Sequence, residues 1–225
     1  MDLHSIPLSL PAPGREASCE RPTASPSEAV GEQELLAGLL AYSRSAASAP
    51  LLLQHFPSIG HVLSAEPSQL EAFGLTTADV AFLRLVREAA RRLAKAKVRI
   101  RPTLGNWQAL LDYLQTAMAY EQVEHFRVLF LDRKNHLIAD ELQQCGTVNH
   151  TPVYPREVVK RALILNASAL IAVHNHPSGD PTPSRDDIEM TRQLKAAAEA
   201  LGLELHDHVV IGHGKHTSFR SAALL

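Results

Sequence analysis

Two periodicities divide the chain. From Gly31 to about Arg101 apolar residues recur at helical spacing. Leu35, Leu36, Leu39 and Leu40 begin the pattern; "APLLLQHF", "IGHVLSA", "PSQLEAF" and a long segment from Thr77 to about Lys97 continue it, punctuated by glycine and proline. Residues 31–101 therefore read as a small all-helical domain. "RIRPTLGNW" reads as a linker, after which "WQALLDYLQTAMAY" restarts a helix. The period then changes to two. "HFRVLFLD" is a strand, "RKNH" a turn and "LIADELQQ" a returning strand. "YPREVVKRALIL" predicts a helix with Pro155 in its first turn, and "SALIAVHNH" a strand. "SRDDIEMTRQLKAAAEALG" predicts a capped helix stopped by Gly202, and "LELHDHVVIG" a last strand. This second part is mixed α/β. Residues 1–30 are rich in Pro, Ser, Ala and Glu and lack periodicity, which predicts a disordered tail.

Composition narrows the classes. The chain has 225 residues, 45% of them hydrophobic and 20% charged, enough for a sizeable core. Cys19 and Cys145 sit in unrelated contexts and make neither a disulfide framework nor a thiolate metal site. No apolar run approaches the roughly 18–20 residues of a bilayer span, and "MDLHSIPLSLPAPG" lacks the basic start of a signal peptide, so a cytoplasmic protein without membrane contact is expected.

The stretch "HNHPSGDPTPSRDD" carries the candidate chemistry. On a strand, side chains two apart share a face, so His174 and His176 project together and Asn175 faces away. Pro177 ends the strand just beyond them. Two imidazoles so placed suit one metal ion. The Pro- and Gly-rich loop returns the chain to Ser184, which opens a helix with Asp187 in its first turn, where a carboxylate reaches back toward the strand end. Two His, one carboxylate and an open fourth position form the pattern of a catalytic zinc. The same residues also satisfy a capping box, Ser184 at the N-cap and an acid three residues on, and Asp186 and Asp187 suit the positive end of the helix dipole. Spacing alone leaves both readings open.

The full string, His-x-His-Pro, six residues, Ser, two residues, Asp, closely resembles the JAMM (MPN or JAB) metalloprotease motif, with every signature residue in place. "HFRVLFLD", "GTVNHTPVYPREVVKRALILNASALI" and "DHVVIG" extend the resemblance over roughly residues 103–225 to the RadC branch of that superfamily. It implies a cytidine-deaminase-like α/β fold: a mixed β-sheet flanked by helices, here following the small all-α N-terminal domain. It also implies a zinc-dependent hydrolase of amide or isopeptide bonds, with a peptide or protein substrate. One Zn2+ ion would be bound by His174, His176 and Asp187, Glu124 would be the general base, and Ser184 would stabilise the oxyanion. Glu124 shares the parity of Phe126, Val128 and Phe130, an apolar face on which a carboxylate calls for a reason. Glu121, at the end of the preceding helix, and Glu141, on the returning strand, are its competitors.

A second His-x-His, His206 and His208, with His213 and His216 nearby, competes by spacing. It lacks the proline loop and the helix-borne carboxylate, and a structural or supporting role is expected. From Arg84 to Arg101 there are eight basic residues and one acid, a local charge of +7 in a chain of net charge −2. A solvated helix face explains this, and so does DNA contact, which the repair and recombination label of the RadC family also suggests. The helical part resembles the helix-hairpin-helix unit that precedes RadC domains. It offers Gly74 where that unit has two hairpin glycines, so the phosphate-binding device is incomplete. The oligomeric state is not encoded in any of these patterns.

Overall fold

The computed structural model describes residues 30–42, 44–99, 104–146 and 153–225. The expected tail and the linker around Pro102 lie outside the described residues. Glu32–Leu225 forms one compact unit. It opens with helices α1 (Glu32–Leu39), α2 (Ala49–His55), α3 (Ile59–Ser64), α4 (Pro67–Ala72) and the long α5 (Thr77–Arg99). Their apolar faces enclose a core of their own, built on Leu36, Leu52, Val62, Leu70 and Leu83.

The remainder is α6 (Trp107–Met118), β1 (Glu124–Leu131), β2 (Leu137–Gly146), α7 (Pro155–Ile164), β3 (Ala169–Asn175), α8 (Arg185–Glu199), β4 (Glu204–Ile211) and β5 (His216–Ser218). The strands form one mixed sheet in the order β2-β1-β3-β4-β5. β1 is antiparallel to both β2 and β3; β3 and β4 are parallel. A parallel pair needs a crossover, which α8 supplies. β3 is buried on both faces along its whole length, which is why it reads as an unbroken apolar run. Leu129, Leu131, Ile171 and Val173 pack on one face with α6. Phe126, Val128, Phe130, Leu170 and Ala172 pack on the other with α7 and α8. The protein is thus α/β, a mixed sheet between helices with a helical N-terminal region.

β4 departs from strict alternation. Leu170 pairs with Leu205 and Ile171 with Asp207, so His206 is the extra residue of a bulge. Leu205 lies on the α7–α8 face, whereas Val209 and Ile211 lie on the α6 face. β5, three residues long, is too short for a period of two to declare itself in sequence.

A buried ionic knot ties the helical region to the sheet. Asp140 of β2 has a fully buried side chain and accepts from Arg127 Nε of β1 at 2.8 Å, from Lys95 Nζ of α5 at 3.3 Å and from Tyr113 Oη of α6. Burial pushes the Asp140 carboxyl up; the Arg127 charge and hydrogen bond, with Tyr113 and Lys95, outweigh it and hold the group below the usual carboxylate range. Other charges of the helix are also paired: Arg87 with Glu121 beyond α6, and Arg91 and Arg92 with Glu88 within α5 itself.

Candidate metal centre

Three side chains converge where β3 ends and α8 begins. His174 is the penultimate residue of β3 and is fully buried. His176 follows the strand; its backbone N–H donates to Ile211 O of β4 at 2.9 Å, so the chain leaves β1 and leans toward β4. Asp187 sits in the first turn of α8. His174 Nε2 and His176 Nε2 are 3.0 Å apart; His174 Nε2 is 3.3 Å from Asp187 Oδ1, and His176 Nε2 is 3.7 Å from Asp187 Oδ2. Ligands held at 2.0–2.1 Å on a tetrahedral ion are about 3.3 Å from one another, which these spacings bracket. Among the described residues, this is the one group of His, Cys, Asp or Glu gathered closely enough to share an ion. Two imidazole nitrogens facing each other beside a carboxylate need a cation between them, a proton or a metal. The donor set fits a zinc-type ion.

The helix start delivers the third side chain of the cluster. Ser184 is the N-cap of α8: its Oγ accepts from Asp187 N at 3.1 Å, and the capping box is complete. Ser184 N and Ser184 Oγ both donate to Asp187 Oδ2 at 2.7 Å, which leaves Oδ1 turned to His174. The cap and the ligand are one device. Burial raises the Asp187 carboxyl, but hydrogen bonds with His174 and His176, their charge and Ser184 hold it far below the usual range.

A single run of hydrogen bonds fixes the tautomer of His174. With Nε2 free to ligate, its Nδ1–H donates to His208 Nε2 at 2.8 Å; His208 Nδ1–H donates to Thr191 Oγ1 at 2.6 Å; Thr191 Oγ1–H donates to the Asp187 carbonyl at 2.6 Å. Burial holds His208 well below the ordinary histidine pKa, so it is neutral, as this polarity requires. His208 therefore orients His174, the arrangement commonly found behind metal-bound histidines. His206 does not join it: displaced by the bulge, it pairs through Nε2 with Asn135 Oδ1 at 2.8 Å. Thr191 is one helical turn beyond Asp187, and that spacing is the one sequence signal that marks it. Thr191→Val, which removes the acceptor for His208, is expected to weaken zinc binding by about 10- to 100-fold; competition with a chromophoric chelator measures it.

The loop between the ligands is held from outside. His176 Nδ1–H donates to Asp180 O at 2.7 Å, and Gly179 N closes the turn onto His176 O at 2.9 Å. Gly179 has φ +82°, and a Cβ there would lie 2.5 Å from His213 Nδ1. His213 itself packs edge-on against His61 of α3 and stacks with Tyr120. His213 is a wall of the loop, and the helical region touches the metal loop through it.

The neighbouring Asp187 carboxylate raises the His176 pKa above its ordinary value; the Asp180 carbonyl and the charge of Glu124 act the same way, against burial. In the metal-free protein this pairing is fully stabilising below the unfolded histidine pKa and is lost as pH rises through the higher folded value. Zinc requires the neutral ring, so its affinity has the opposite sign. Below the raised His176 pKa, the zinc dissociation constant is expected to weaken about tenfold per pH unit for each proton displaced. Titrations across pH 5.5 to 8.5 check this.

Glu124 is the first residue of β1. Phe126 pairs with His174 across the ladder, so Glu124, two residues earlier on the same face, lies on the His176 side of the cluster. Its charge reaches His176. The competitors are engaged elsewhere: Glu121 with Arg87, and Glu141 with Arg161 at 2.6 Å.

A mixed sheet carrying a His-His-Asp cluster at the carboxyl end of a parallel strand defines an α/β domain with a candidate cation site. The family model described as a RadC-like JAB domain matches residues 104–224. A UPF0758 protein of Rhodobacter capsulatus is 65% identical over 175 residues, 77% of this chain and 82% of that protein. A UPF0758 protein of Ruegeria pomeroyi is 54% identical over 178 residues, 79% and 80% of the two chains. The chain belongs to the RadC family and carries its JAB domain. Neither relative's name states an activity.

Proposed function

We propose that the protein is a zinc-dependent metallohydrolase of JAMM type, a metallopeptidase or isopeptidase acting on a peptide or protein substrate in the cytoplasm. The observation that carries this reading is the convergence of His174, His176 and Asp187, with spacings suited to one ion; Glu124, two residues before the Phe126–His174 rung on the same strand face, supports it. A bound zinc ion supplies Lewis acidity, acidifying water and polarising a carbonyl. The chain's own residues do the rest. Glu124 accepts the proton of the attacking water and returns it to the leaving amine. The His208–Thr191 run keeps His174 in the ligating tautomer. Ser184 holds Asp187 Oδ2; an oxyanion role for its hydroxyl requires that Oγ–H turn to the substrate while Ser184 N–H keeps the carboxylate in place. Among the described residues no helix is long and apolar enough to cross a membrane.

A DNA-associated role draws less support. Arg87, Arg91, Arg92 and Lys95 of the basic helix each pair with an acid of the same chain. The hydrolase reading is tested by incubating zinc-loaded protein with libraries of peptides and isopeptide-linked lysines. Cleavage that stops on chelation and returns with zinc supports it, and cleavage that persists in metal-free protein removes it.

A further inference from the structure

The β1–β3 backbone ladder ends at Phe126 and His174. Beyond it, the β3 backbone turns to β4, through His176 N to Ile211 O. His125 N–H and Val123 C=O therefore face β3 with no strand backbone to meet them. The Asn175 side chain meets both: His125 N donates to Asn175 Oδ1 at 2.9 Å, and Asn175 Nδ2 donates to Val123 O at 3.1 Å. Asn175 is fully buried. A carboxamide carries one acceptor and two donors, the chemistry of a peptide unit. Asp would lose the donor, Ser would offer a single group, and Gln would be one methylene too long. The two bonded groups flank Glu124 on either side in sequence, while Glu124 itself pairs with Gly146 of β2.

We propose that Asn175 is a positioning residue: its carboxamide replaces the missing rung between β1 and β3 and thereby fixes Glu124 beside the His174–His176–Asp187 cluster. The middle residue of the His-x-His, which points away from the metal, thus aligns the base that works on it. One strand end serves both halves of the site, with ligands on one face and the clamp on the other. The inference rests on the reading of Glu124 as the base, but the clamp itself is measurable without turnover.

Amide hydrogen exchange in the intact zinc-loaded protein, resolved by NMR, reads it directly. The His125 amide is expected to be protected although it lacks a backbone partner, and Asn175→Ala to speed its exchange by about tenfold or more while Leu129 in mid-strand is unchanged. The second measurement is a cycle on zinc affinity. Glu124→Gln is expected to weaken zinc binding in the wild-type background, because it removes a nearby negative charge, and to have a smaller effect in Asn175→Ala. A solely structural Asn175 would lower thermal stability and leave the Glu124 effect equal in both backgrounds. A His125 amide exchanging freely in the wild-type protein overturns the proposal even if the variant fails to fold, and so does an equal Glu124 effect in the two backgrounds. If Glu124→Gln leaves turnover unchanged while the exchange result holds, the base assignment fails and the clamp stands.

Discussion

Glu124→Gln is expected to keep one zinc per chain and to lose hydrolysis by about 10²- to 10⁴-fold, the contribution of a positioned acid–base group. The substitution is nearly isosteric and leaves His174, His176, Asp187 and their supports untouched, so at saturating zinc loss of metal is not the route to loss of activity. Its charge reaches His176, and the two other acids considered for the role, Glu121 and Glu141, are committed to Arg87 and Arg161. The measurement is kcat on the substrate that wild type cleaves, with zinc content determined on the same sample. Unchanged turnover with full zinc removes Glu124 from the mechanism.

The second large effect is on stability. Asp140→Ala is expected to cost about 3–5 kcal/mol, because it leaves the Arg127 and Lys95 charges and the Tyr113 hydroxyl without their common acceptor in a buried place. Urea unfolding of wild type and variant measures it. The same group predicts an acid limit. Its folded pKa is depressed, so its contribution is complete above the unfolded aspartate value of about 3.9 and is lost as pH falls through the lower folded value. Asp140→Ala should flatten that part of the stability–pH curve. A cost below about 1 kcal/mol, the range of exposed ion pairs, would show that the knot is not buried in solution.

The cluster was legible because it is local. His174, His176, Ser184 and Asp187 lie within one strand–loop–helix passage, and each carries its signal in residue type and spacing. The face that Glu124 shares with Phe126 was legible through parity, since the β1–β3 ladder runs without interruption from Leu131 to Phe126. Parity misleads in β4, where a bulge at His206 separates two histidines that strict alternation would place side by side. The supports were less legible. His208 is 34 residues from His174 and Asn175 is 50 from His125, and nothing in a single sequence states that these pairs meet. The +7 segment had two readings because charge alone does not say which acids will face it; the fold brings Glu121 and Asp140 to it from outside the helix.

In the function proposed, one strand end and one helix start together hold a zinc ion, with Glu124 beside it. Crystals grown with zinc and measured above and below the zinc absorption edge test it most directly. One anomalous peak per chain is expected, ligated by His174 Nε2, His176 Nε2 and Asp187 Oδ1 at about 2.0–2.2 Å, and no peak there in His174→Ala. A peak ligated by other side chains, or full occupancy that survives His174→Ala, would contradict it.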